Sequence, residues 1–422
     1  MNYNVKRAAN NLPLELESKQ KHFLLRYGLR NPSSGKGMGF HGILKDDVAG
    51  FYADTLDSSY QKIKSIWRRP PPVCDSSGKI RVYILGGLLN PAMSIQGGDF
   101  PIILLPSYNQ ETTNKLSLHR IKAEIAHEVC HVFNFHEHPA HHSASGDWRW
   151  FDEGMAVYSE SRVFKNNIDH YRFLHDWVIF PEFSLDNPEA EYHASQVVRY
   201  LAKRFGEKFV NDVWTDILVN PKPEDPSSYP DSPFAVMNRI LSGGLKFISL
   251  HNGESDVFSD YCRDAYFLRD PKSHLYAPEV FDRFGERAST ENFELQPGSN
   301  AEAQSNLDHL ACRYFRYSVT PGAASLVLTL EALKEGNSPL KAEVAVVTRD
   351  GKNALAKRLV PIPLSSVNDR MRLTGKIDLP KNVEIDHVVV VVTNCGLKRA
   401  TDNVYESSDD EQEFRLQVIA EG

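Results

Sequence analysis

The sequence predicts an α+β multidomain protein: a small α/β sheet, a helical subdomain, and an antiparallel β-sandwich at the end. Strand-like and helix-like runs alternate over the first hundred residues, and helical spacing then dominates from Leu116 to about Glu286. Beyond about Asp308 the apolar period falls to two. With 422 residues, the chain is roughly two to three times an ordinary domain, so more than one core is expected.

The elements follow in order. HFLLRYG (22–28), KIRVYILGG (79–87) and FPIILLPS (100–107) are apolar and β-branched enough for strands, and the amphipathic stretch from Val48 to Trp67 is a helix between the first two. Strands separated by a helix make residues 1–115 a small α/β sheet. Helices are expected over 116–135, 151–165, 167–179, 188–204, 207–219, 233–242 and 254–268, with the proline-rich break NPKPEDPSSYPDSP between two of them. Together they make 116–287 the helical part. Residues 288–308 are polar and rich in Asn, Ser, Glu and Gly, which reads as a linker. From 309 to 422, YFRYSV, SLVLTLEAL, AEVAVVTRD, KRLVPIPL, MRLTGKIDL, HVVVVVTNC and FRLQVIA are β-rich runs joined by turn residues, as in an antiparallel sandwich.

Composition excludes several classes. A chain that is 41% hydrophobic, 24% charged and 10% aromatic is neither disordered, collagenous nor a coiled coil. A net charge of −7, a pI near 6.2 and no basic stripe argue against a nucleic-acid partner, whose affinity rests on clustered Lys and Arg. No signal-peptide core is seen in MNYNVKRAANNLPLELESKQK, and nowhere do eighteen uncharged apolar residues run together, so no membrane partner is expected. Five scattered cysteines (Cys74, Cys130, Cys262, Cys312 and Cys395) suit reduced thiols, and the expected compartment is the cytoplasm, with signal-independent secretion left open.

AEIAHEVCHVF (123–133) is the stretch that carries chemistry. Residues four apart on a helix lie about 40° from each other round the axis, so His127 and His131 can reach one ion. Glu128 projects about 100° further, which suits a general base acting on water at the metal. Neutral imidazoles suit Zn²⁺. The plain alternative is a structural pair of histidines, or a solvated polar face. Leu118, Ile121, Ile125, Val129 and Val132 form one apolar stripe, however, and both histidines fall opposite it. The flanking residues are uncharged, so the helix reads as buried all round, with histidines that need a partner.

Two schemes supply a third ligand. In WRWFDEGMAVYSE, Glu153 stands twenty-two positions after His131 in a stretch of helical spacing. The second scheme turns the chain sharply at Asn134 and uses Glu137, six past His131.

HEVCH with the later WFDEGMAVY resembles the gluzincin type of zinc metallopeptidase, over about Phe100 to Phe205. The resemblance implies a zincin-like catalytic region holding one Zn²⁺ ion on His127, His131 and Glu153, with Glu128 as base. It also implies that Asp152 supports a ligand histidine from behind. In such enzymes a downstream Tyr or His often stabilises the oxyanion, and the stretch PEAEYHASQVVRYL offers Tyr192 first and His193 second. A sheet-edge strand precedes the zinc helix in these folds and pairs with an extended substrate, a place that FPIILLPS would take. The turn scheme resembles metzincins but lacks their Gly and third His. No Gly-x-Met-Glu-Asn stretch of the aminopeptidases is present, so the expected activity is endopeptidase action on a peptide or protein substrate. The alternative function is a degenerate, non-catalytic protein that binds through its sandwich.

Three other features have plainer readings. HEHPAHH (136–142) could bind a second metal, but its proline breaks the spacing that would converge the histidines, so a loop is expected. Cys130 reads as helix packing. DNVYESSDDEQE (402–413) reads as a solvated hairpin loop, not a Ca²⁺ site, because it lacks glycine-turned ligand spacing.

Overall fold

The apolar residues of 46–67 recur every three or four positions, and in the structure they become one buried face of a helix: Val48, Ala49, Tyr52, Leu56, Tyr60, Ile63 and Trp67. The structure is a computed structural model that describes residues 12–28, 46–72, 74–85, 93–96, 100–106, 115–137, 146–165, 181–182, 184–185, 187, 191–219, 233–249, 256–267, 275, 290–333, 340–350, 354–361, 365–366, 372–396 and 412–422. It has helices and several sheets, an α+β protein in two units: Met1–Phe173 with Ala194–Pro230, and Leu174–His193 with Asp231–Gly422. This division cuts across the expected helical region 116–287, whose first half belongs with the N-terminal sheet.

In the first unit, β1 (Leu14–Glu17), β2 (Phe23–Tyr27), α1 (Asp46–Trp67), β3 (Ile80–Leu85), β4 (Met93–Gln96) and β5 (Pro101–Pro106) precede four helices. These are α2 (Lys115–Glu137), α3 (Gly146–Val163), α4 (Ser195–Phe205) and α5 (Glu207–Val219). The sheet order is β1-β2-β3-β5-β4, parallel through β2, β3 and β5 and antiparallel at both ends. β3 and β5 lie inside it, so both their faces are buried and they read as continuous apolar runs. The expected edge strand FPIILLPS is therefore not at the edge: β5 is paired on both sides, and β4 is the outer strand among those described. α1 and α2 pack on the sheet, with the Tyr52 hydroxyl donating to the Pro106 carbonyl at 2.7 Å and the Tyr60 ring tilted at 44° to that of Phe133, 5.0 Å away.

Among the described residues, the second unit holds α6 (Pro233–Ile240), α7 (Val257–Tyr266) and ten strands. They are β6 (Thr290–Leu295), β7 (Asn300–Leu307), β8 (Ala311–Val319), β9 (Ser325–Ala332), β10 (Leu340–Asp350), β11 (Ala354–Pro361), β12 (Ser365–Ser366), β13 (Arg372–Asp378), β14 (Glu384–Asn394) and β15 (Gln412–Glu421). Two five-stranded sheets, β11-β10-β14-β8-β6 and β12-β13-β9-β15-β7, share one core that includes Phe315, Leu328, Val344, Val390, Phe414 and Leu416. β15 alternates buried and half-buried along its length, whereas β14 is buried on both faces. The difference has a cause: α7 packs on β14 and β10, and from β8 the Tyr314 hydroxyl donates to the Cys262 carbonyl of α7 at 2.7 Å. Asp256 caps α7 by accepting from the Ser259 amide at 2.7 Å and also takes the buried ammonium of Lys341.

Two expectations are corrected here. Residues 288–308 are no linker, since β6 and β7 occupy most of them. The sandwich is not wholly antiparallel, because β6 runs parallel to β8. Both strands end a sheet and bury few side chains, so their composition stays polar. The helix expected over 167–179 lies outside the described residues, as do 138–142 of the histidine-rich stretch and 402–411 of the acidic one. None of the five cysteines is in a disulfide. Among the described residues no helix is long and apolar enough to cross a membrane.

Candidate metal centre

α2 and α3 pack against each other, and each brings polar side chains to the seam. His127 and His131 come one turn apart from α2, their rings 4.7 Å apart and inclined at 75°. Glu153 comes from α3. Its Oε2 lies 3.0 Å from His127 Nε2 and 3.4 Å from His131 Nε2, and the two Nε2 atoms are 3.0 Å apart. The three side chains form a group that could hold a metal ion, and among the described residues it is the one such group.

The outer nitrogens decide what this group can do. His127 Nδ1 lies 2.9 Å from Glu160 Oε1, and His131 Nδ1 lies 3.1 Å from Asp152 Oδ2. Ionised carboxylates only accept, so with an ion bound each imidazole would keep its proton on Nδ1, beside its carboxylate, and turn the Nε2 lone pair inward. Two lone pairs and a carboxylate oxygen then converge with no donor among them. A tetrahedral ion with ligand bonds of about 2.1 Å separates its ligands by about 3.4 Å, so the observed spacings fit a small divalent cation.

Without an ion, protons take its place. Burial alone lowers the His127 pKa, but the hydrogen bonds its ring donates to Glu153 and Glu160 carry it up to about 10. His131 is likewise pushed well above the ordinary value, because Asp152 and Glu153 outweigh its burial. Burial raises Glu153, yet the two imidazoles hold its carboxyl well below the usual range. A carboxylate and two cationic rings held this tightly, with all three side chains largely buried, keep the site charged and ready to exchange protons for metal.

A second layer fixes Asp152. The Asn134 amide donates to Asp152 Oδ1, and Asn134 Oδ1 accepts from Arg69 Nη1. Asn134 has one orientation here, since the guanidinium only donates and the carboxylate only accepts. Arg69 is buried, its Nε donating to Asn211 Oδ1 at 2.9 Å and its guanidinium lying over Trp67 and Trp214 at 6.0 and 5.7 Å. Gly154 sets the approach of α3 to α4: a Cβ there would stand 3.1 Å from the Ala194 carbonyl carbon and 3.1 Å from Val198 Cγ2.

Sequence reasoning reached some of these residues and missed others. Glu128 is buried on α2 directly after His127. Asn134 is no turn: α2 continues through it to Glu137, whose side chain lies outside the described ones, so the sharp bend of the second ligand scheme does not form. Tyr192 and His193 stand half-buried on a 3-10 turn, Glu191–Ala194, and do not belong to the metal-holding group. Cys130 is buried and 3.4 Å from Ser159 Oγ, a packing position. Glu160 and Arg69 were not singled out. Glu160 had a signal, since it stands seven after Glu153 and so on the same helix face; Arg69 had none.

No protein-family model matches the chain, and no curated protein does. Among solved structures, the pre-peptidase C-terminal domain of a collagenase from Bacillus anthracis is similar over 31% of this chain and 93% of that one, at 7% identity and a TM-score of 0.19. The periplasmic g-type lysozyme inhibitor PliG of Aeromonas hydrophila is similar over 31% and 99%, at 10% identity and a TM-score of 0.17. The VP2 subviral particle of infectious bursal disease virus is similar over 30% and 31%, at 10% identity and a TM-score of 0.15. Likenesses this slight carry no conclusion about the chain.

Proposed function

We propose that this chain is a zinc-dependent hydrolase of the gluzincin type, an endopeptidase acting on peptide or protein substrates. The observation that supports it is the convergence of His127 Nε2, His131 Nε2 and Glu153 Oε2 within 3.0 to 3.4 Å, with both Nδ1 atoms against carboxylates. Zinc bound there supplies the Lewis acidity that activates water and polarises the scissile carbonyl. Glu128 takes the proton of the attacking water and hands it to the departing amine. Glu160 and Asp152 keep His127 and His131 in the tautomer that leaves Nε2 free to ligate. α2 packs against β4, and the outer side of that strand offers main-chain groups to an extended substrate.

The test is elemental analysis of purified protein with a peptide-library digest, with and without chelator, repeated on Glu128→Gln. Stoichiometric zinc, chelator-sensitive cleavage, and a Glu128→Gln protein that keeps zinc but not turnover support the reading. Absence of both metal and cleavage favours a non-catalytic binding protein.

A further inference from the structure

The turn between β7 and β8 brings together a second set of reactive side chains, all within the second unit. Residues 181–185 run beside the start of β8, where the Cys312 amide donates to the Pro181 carbonyl at 2.8 Å and the Leu185 amide to the Leu310 carbonyl at 3.1 Å. Ser184, on that segment, places its Oγ 3.0 Å from His309 Nε2, and His309 Nδ1 lies 3.0 Å from Asp308 Oδ1. Asp308 is fixed in turn, since Oδ1 also accepts from the His309 amide at 2.9 Å and Oδ2 from the Ser184 amide at 3.2 Å. In the neutral ring the carboxylate, which only accepts, keeps the proton on Nδ1, so Nε2 accepts from the Ser184 hydroxyl. Hydroxyl, base and orienting acid thus stand in the order of a nucleophile and its proton relay.

More than a fastening is built here. The segment is already held by its main-chain amides and carbonyls, and an imidazole set between hydroxyl and carboxylate adds a base that no fastening needs. Leu310, directly after His309, has φ 50° and is fully buried. A bulky residue in left-handed backbone is strained, and such strain gathers at sites where a side chain must be aimed. Ser184 and His309 are themselves buried, which limits a reactant to a small acyl group. The amides of Ser184 and Leu185 are committed to Asp308 and to the Leu310 carbonyl, so neither is open to a developing oxyanion. A leaving group must then depart readily without their help, which selects an activated ester over an amide.

We propose that Ser184 is a nucleophile that takes a small acyl group from an activated ester, with His309 as its base and Asp308 orienting the ring. The hydroxyl proton passes to His309 Nε2 as Oγ bonds to the acyl carbon; the bond from that carbon to the leaving oxygen breaks, and the proton follows to that oxygen. Water then releases the acid by the same relay. The site shares no residue with the metal centre, so it stands or falls independently of the peptidase reading. Full-length protein given p-nitrophenyl acetate should release nitrophenolate about a hundredfold faster than Ser184→Ala or His309→Gln, and chelator should leave that rate unchanged. After an acid quench, peptide mass analysis should find the acetyl group on Ser184. Equal release by wild type and both variants overturns the proposal, as does release that chelator abolishes, which would place the reaction at the metal centre. Acetyl groups found only on other side chains, His309 included, overturn it on the wild type alone, whether or not the variants fold.

Discussion

Asn134 donates its side-chain amide to Asp152, and Asp152 stands 3.1 Å from His131 Nδ1, so Asn134 acts on a candidate ligand histidine through Asp152. Arg69 presses on the same chain from behind by donating to Asn134. Replacing Asn134 by Ala or Leu should free Asp152 to rotate and leave a buried guanidinium short of one acceptor. The expected result is metal affinity lower by about tenfold or more, read by chelator competition, with stability down by about 1–3 kcal/mol in chemical denaturation. Unchanged affinity would remove the orienting role.

Gly154 is the next point of leverage. With a Cβ meeting Ala194 and Val198 at 3.1 Å, Gly154→Ala must push α3 and α4 apart by a few tenths of an ångström. A loss of about 1–3 kcal/mol in unfolding free energy is expected from overpacking. Gly154→Ala with an unshifted denaturation midpoint would mean that the helices yield freely there.

Metal binding should depend on pH through the histidines. In the metal-free protein the His127 pKa is raised from 6.5 to about 10, so the cluster's contribution to stability is fully present below 6.5 and fades as pH climbs through about 10. An ion must displace that proton. Titration of Zn²⁺ at pH 7 in buffers of different ionisation enthalpy should therefore reveal at least about one proton released per ion bound. Zero release would contradict the protonated cluster.

Acid should act elsewhere, at Asp75. Its burial raises the pKa, but hydrogen bonds from Ser77, Arg81 and the Lys79 amide hold the carboxyl well below the ordinary 3.8. A depressed pKa contributes stability that is present above 3.8 and lost as pH falls below it. Asp75→Asn should cost stability at neutral pH and flatten the acid limb of the pH–stability curve. An unaltered acid limb in that variant would assign the acid sensitivity to another group.

Legibility followed burial. α1 and α2 were readable because their apolar residues repeat at helical spacing, and β8, β9, β14 and β15 because a shared core demands apolar faces. β7 was not, for it buries only Ala303 and Leu307 at a sheet edge, and its remaining residues look like a loop. β4, four residues long, gave no run long enough to register, and so β5 took its expected place at the edge.

By itself the sequence determined that His127, Glu128 and His131 share one helix and that Glu153 sits on another, because 3.6-residue periodicity is a local property. Only the tertiary structure decided that these helices meet with Glu153 at 3.0 Å from His127, that Glu160 and Asp152 stand behind the imidazoles, and that Arg69, sixty-five positions before Asn134, completes the chain of hydrogen bonds. Such contacts depend on how side chains far apart in sequence fill one interior, and no local pattern encodes them.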